Sequence, residues 1–173
     1  MDGDKRRGRI IEWLQTSSGP LSGTALAKKA GVSRQVIVQD IALLRATNKN
    51  ILSTNKGYVY YQNDGAEKHT RVIAVKHADD EMRDELNTIV DTGARVLDVI
   101  VEHDVYGQIA VDLLIESRRD ANEFMKQISG SRTKPLKELT ADYHYHTIDA
   151  PSEVILDEVE AALKEKGYLL LRG

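Results

Sequence analysis

A chain of 173 residues that is 41% hydrophobic and 29% charged can form one domain with a full core or two small ones. It has no cysteine, which excludes disulfides, thiolate nucleophiles and thiolate-bound metals, so any metal must sit on imidazole and carboxylate. No segment approaches the roughly twenty apolar residues that cross a bilayer, and no signal-peptide-like stretch follows the charges of Met1–Arg7, so we expect a cytoplasmic protein without a membrane partner.

The net charge of −3 is unevenly spread: residues 1–62 carry 10 Lys and Arg against 4 Asp and Glu, and residues 63–173 carry 14 against 23. A basic front and an acidic rear point to a polyanion approached by the front alone. The first helix is expected from Lys5 to Gln15, with Ile10, Ile11 and Leu14 as its buried stripe, and Ser17-Ser18-Gly19-Pro20 stops it. Ser22 caps a short helix carrying Leu26, Ala27 and Ala30. Gly31 ends that helix and Ser33 caps the next. The third helix buries Ile37, Ile41 and Leu44, at i, i+4 and i+7. Ile51–Thr54 and Gly57–Tyr60 then read as two strands of a hairpin.

Helix, tight turn, capped helix and hairpin make a winged helix-turn-helix. Burying Ile37, Ile41 and Leu44 leaves Arg34, Gln35, Gln39 and Ala42 on the opposite side, where polar side chains reach base edges in a major groove. Arg can donate two bonds to guanine and Gln can bond bidentately to adenine. Ser33 and the free amides of the first turn suit a phosphate oxygen. Lys56 at the hairpin tip, with Lys28, Lys29 and Lys5–Arg9, would supply phosphate contacts. The expected partner is double-stranded operator DNA.

The polar stretch Tyr61–Lys68 reads as a linker, between a DNA-binding domain at 1–62 and a second domain at 69–173. There the expected order is strand (Arg71–Val75), helix (Asp79–Asp91), strand (Arg95–Val101), strand (Gln108–Leu114), helix (Arg119–Ser129), strand (Tyr143–Ile148) and helix (Ser152–Lys166). Tyr168–Leu171 is a further strand candidate. Strands and helices that intermix without regular βαβ spacing indicate an α+β fold, a sheet with helices on one face.

His144 and His146, two apart on a strand, share a face and can bind one ion. Tyr143 and Tyr145 then fall on the other face, read as core. His77 ends the first strand of this domain and leads into an acidic helix where Glu81 and Glu85 share a face at i, i+4. Three imidazoles and a carboxylate suit a divalent transition metal: Ni, Zn, Fe or Mn. His69 and His103 receive no role.

Gly31–Ile41, followed by Gly57-Tyr58-Val59-Tyr60, resembles the winged helix of the nicotinate-responsive repressors of NAD biosynthesis. His77, His144 and His146 resemble the three histidines that name that family's regulatory 3H domain, and the resemblance spans essentially the whole chain. It implies an HPr-like β-α-β-β-α-β-α regulatory domain, a metal set of His77, Glu85, His144 and His146, a homodimer, and nicotinic acid as co-repressor controlling NAD biosynthesis or niacin uptake genes. It implies a regulator, not an enzyme. Three other readings compete: a metal-responsive repressor with no nicotinate ligand, a metal-dependent enzyme fused to a winged helix, and a rear domain that only dimerises.

Overall fold

The computed structural model describes residues 2–47, 50–61 and 66–170. Part of the expected linker (residues 62–65), Leu171 of the expected last strand, and residues 48–49 of the loop before the hairpin lie outside the described residues. The chain divides into two compact units, residues 1–64 and 65–173.

In the first unit, α1 (Gly3–Thr16), α2 (Gly23–Ala30) and α3 (Arg34–Thr47) precede a hairpin of β1 (Ile51–Thr54) and β2 (Gly57–Tyr60). Ile10 and Leu14 of α1, Leu26 of α2, Ile37, Ile41 and Leu44 of α3, and Ile51 of β1 form one buried cluster. Ser22 Oγ accepts from the Ala25 amide at the start of α2. Gly31, at φ 67°, closes α2 in the left-handed conformation that glycine adopts without Cβ strain. Ser33 Oγ then accepts from the Val36 amide to open α3. Leu21, between α1 and α2, exchanges backbone hydrogen bonds with Tyr58 at 3.0 and 2.8 Å, fastening the wing to the helices. That fastening requires Gly57: at φ 131°, a Cβ there would lie 2.5 Å from the Leu21 carbonyl oxygen.

The second unit contains β3 (His69–Lys76), α4 (Met82–Asp91), β4 (Arg95–His103), β5 (Gly107–Ile115), α5 (Arg118–Gly130), β6 (Tyr143–Ala150) and α6 (Glu153–Glu165). The order of strands and helices matches the expected β-α-β-β-α-β-α, and the fold is α+β. The sheet order is β3-β6-β4-β5, antiparallel throughout. Ile73, Val75, Val96, Leu113, Ile115, Ile148 and Ala150 from the sheet pack with Leu86, Ile89, Ala121, Leu156, Val159 and Leu163 from the three helices in one core.

Two expectations change, and one element is added. Residues 79–81 form a 3-10 turn, and α4 begins only at Met82, with Glu81 at its N-cap instead of inside the helix. Glu81 lies beside Tyr168. A second 3-10 turn, Leu136–Thr140, lies in the α5–β6 connection. The tyrosines of β6 are not core: Tyr143 is 45% exposed and Tyr145 half-buried, while His144 and His146 are buried. The reason is the period of two along a strand. Ile148 and Ala150 face the helices, and 144 and 146 share their parity. Beyond the strands, Leu169 bridges Val75 of edge strand β3, which extends the sheet at that edge.

Candidate metal centre and DNA-binding surface

β6 is the pivot of the buried histidine cluster, because it pairs with β3 on one side and β4 on the other. Val75 lies opposite His144 and Ile73 opposite His146 in the β3–β6 register, so His77, just past the end of β3, reaches the same end of the sheet. α4 crosses this face and projects Glu85, which has no exposed surface. Ligand atoms of His77, Glu85 and His144 all lie within 4.8 Å of one another. His146 joins through Glu85: its Nε2 is 2.9 Å from Oε1, whereas the His144 Nε2 is 3.5 Å from that atom. His77 Nε2 meets Glu85 Oε2 in a short contact. Ring centroids are 4.8 Å apart for His77 and His144, and 4.9 Å for His144 and His146.

The other ring nitrogens decide what this cluster can do. Nδ1 of His77 bonds the Ala78 carbonyl at 2.9 Å, that of His144 the Asp142 carbonyl at 2.9 Å, and that of His146 the Asp98 carbonyl at 2.6 Å. A carbonyl only accepts, so each Nδ1 carries the hydrogen, and each neutral imidazole presents a bare Nε2 lone pair. Three lone pairs and a carboxylate then converge in a closed space with no donor among them. Glu85 Oε1 and His146 Nε2 indeed have no hydrogen-bond partner. Such an arrangement is repulsive without a cation or added protons, and it is how imidazoles are held to bind a metal. The donor set of nitrogen and carboxylate oxygen fits a divalent transition metal.

Protonation tells the same story from the other side. Burial opposes charge on Glu85, yet the three histidines hold its carboxyl well below the usual range. Burial likewise opposes charge on His77 and His146, but Glu85 outweighs it and both are pushed up. His144 is pushed down, chiefly by burial. The carboxylate and two of the three imidazoles thus each favour the other's charged form.

Two supporting residues escaped the sequence reading. Asp98 sits where the β4–β6 register slips between Val96 and Ile100. This irregularity frees its carbonyl for His146, and its Oδ1 accepts from the Thr147 amide at 2.7 Å. An aspartate within the apolar run Val96–Val101 was the available signal for a bulge. Lys137, 2% exposed, lies in the second 3-10 turn between Asp79 and Asp142. Nothing in its local sequence marked it. Of the unassigned histidines, His69 pairs with Glu153, and His103 accepts from the Val105 and Tyr106 amides in the β4–β5 turn.

On the first unit, Ser33, Arg34, Gln35, Gln39 and Ala42 are all exposed along α3. Val38 is exposed among them. The Arg34 side chain lies along Gly23, where an added Cβ would sit 3.5 Å from its Nε. Lys56 is half-buried in the wing turn, its amide donating to Thr54 Oγ1. Arg6 and Arg7, two of the expected phosphate contacts, both pair with the buried Asp40 and tie α1 to α3.

Residues 6–59 match the HTH domain family and residues 70–172 the 3H domain family. Over 171 residues the chain is 43% identical to the transcription repressor NadR of Bacillus subtilis, covering 97% of this chain and 94% of the relative. Over 169 residues it is 41% identical to the probable transcription repressor NiaR of Thermotoga maritima, covering 98% and 95%. The chain belongs to the 3H-domain transcription repressors. The buried three-histidine cluster of this 3H repressor therefore lies within its matched 3H domain, and the exposed face of α3 within its HTH domain. Among the described residues of the repressor, no helix is long and apolar enough to cross a membrane.

Proposed function

We propose that this repressor binds operator DNA as a homodimer through α3 and its wing, holds a divalent transition metal at His77, Glu85, His144 and His146, and uses nicotinic acid as co-repressor of NAD biosynthesis or niacin uptake genes. The observation that carries the metal assignment is the inward convergence of three bare imidazole nitrogens on a carboxylate with no donor between them. The metal would supply the positive charge this cluster lacks and a Lewis-acidic partner for a ligand carboxylate. The chain's own residues do the rest. Ser33, Arg34, Gln35 and Gln39 address bases and the nearest phosphate, and Lys56 a backbone phosphate across the wing.

A metal set drawn from the end of β3, α4 and β6 joins elements far apart in sequence. It makes their relative positions sensitive to what binds there. Nicotinate acts by favouring the dimer arrangement that spaces two recognition helices about one DNA turn apart. Such coupling is typically about 1–3 kcal/mol, and nicotinate must bind the DNA-competent state more tightly than the other.

A second reading, in which the metal alone is the signal, is favoured by the burial of all four side chains. Calorimetric titration separates the two. Metal-loaded protein that takes up nicotinate and binds operator DNA several-fold to tens-fold more tightly supports the co-repressor. Metal-loaded protein with no nicotinate heat and equal operator affinity with and without it supports metal sensing.

A further inference from the structure

Lys137 joins the two corners of the chain that carry the histidine cluster. Its Nζ is 2.6 Å from Oδ1 of Asp79 and 2.5 Å from Oδ1 of Asp142. Asp79 follows Ala78, whose carbonyl fixes the His77 ring. Asp142 carries the carbonyl that fixes the His144 ring. The backbone repeats the grip, because the Asp142 amide donates to the Lys137 carbonyl at 2.9 Å. Ala141 and Asp142 both hold positive φ, 51° and 71°, a conformation costly enough for non-glycine residues to need such a hold. One buried ammonium, 58 residues from Asp79 along the chain and 5 from Asp142, thus connects the two segments that orient two of the three imidazoles.

We propose that Lys137 is a positioning residue of the metal centre, setting the separation of His77 and His144 through Asp79 and Asp142. This rests on the reading that the cluster takes a metal. The role runs against the residue's charge. A cation beside a dication site repels the dication. Loss of the charge alone would therefore tighten metal binding, whereas loss of the positioning would loosen it. The two roles predict opposite signs.

The test uses the full-length protein without a histidine tag, in wild-type, K137M, K137Q and K137R forms. Zn(II) affinity is measured by competition with a chromophoric chelator, and the site is viewed through the visible spectrum of the Co(II) form. Asp79 is 58% exposed and Asp142 36% at their side chains, so K137M leaves no buried charge unpaired. K137Q, which can still donate to both carboxylates, is the second variant should K137M fail to fold. Positioning predicts Zn(II) binding weakened about 10–100-fold in K137M, the range for residues that orient ligands. It also predicts a changed Co(II) spectrum, a smaller loss in K137Q, and recovery in K137R. Unchanged or tighter Zn(II) binding in K137M or K137Q, with a wild-type Co(II) spectrum, overturns the inference while leaving the metal site standing. Wild-type protein that binds neither ion overturns both.

Discussion

Nε2 of His146 lies 2.9 Å from Oε1 of Glu85, both atoms are buried, and neither has a hydrogen-bond partner. Because Nδ1 of His146 is committed to the Asp98 carbonyl, the facing atoms are two acceptors. This one contact states the electrostatic problem of the whole 3H cluster.

Replacing Glu85 with glutamine tests it directly. The carboxamide supplies two N–H donors to the bare imidazole nitrogens, each such bond being worth about 1 kcal/mol. In chelator, at a pH well above the histidine range where the imidazoles are neutral, the Tm of E85Q is expected to equal or exceed that of wild type by a few degrees. The Tm rise that Zn(II) gives wild type is expected to be lost. A fall of several degrees in chelator, by differential scanning fluorimetry, would count against a donor-poor cluster.

Acidity should act on the same group. The three histidines hold Glu85 well below the ordinary carboxyl value of 4.5 in the folded protein, so its contribution to stability is present above about 4.5 and lost as pH falls through the lowered folded value. Metal-free wild type is expected to lose stability more steeply below pH 4.5 than metal-free E85Q, measured by urea unfolding at several pH values. Metal binding must also displace protons from His77 and His146, both raised above 6.5. Zn(II) affinity should therefore still be climbing as pH passes 6.5. A plateau by pH 6 would contradict the raised values.

The wing offers a test confined to the first unit. A Cβ on Gly57 would meet the Leu21 carbonyl at 2.5 Å and would have to adopt φ 131°. G57A is expected to cost about 1–3 kcal/mol and to weaken DNA binding, with Zn(II) affinity unchanged. Gel-shift and chelator-competition titrations of the same preparation check both halves.

On the recognition helix, R34A and Q35A are each expected to lose about 1–3 kcal/mol of discrimination between operator and unrelated DNA with unchanged circular dichroism. Operator binding as selective as wild type in both variants would remove these side chains from base reading.

Most local structure was legible in the sequence. The caps at Ser22 and Ser33, the Gly31 terminator, the Ile37-Ile41-Leu44 stripe and the strand–helix order depend on residues within a turn of one another. Misreadings arose where distant partners intervene. The pairing of Arg6 and Arg7 could not be read, because the buried Asp40, 34 and 33 residues away, is invisible to a local window. Tyr143 and Tyr145 looked like core because they alternate with the histidines along the strand, whereas the inner face of β6 is given to the imidazoles that meet Glu85.

The sequence by itself determined the two-part organisation, the helical and strand periodicities, and that His144 and His146 share one face. Each follows from backbone geometry acting over a few residues. Only the tertiary structure decided that this face turns inward, that His77 and Glu85 meet it, and that Asp98 and Lys137 hold the rings. Those outcomes depend on β6 lying between β3 and β4, a pairing of segments far apart along the chain that is settled when the whole apolar core closes.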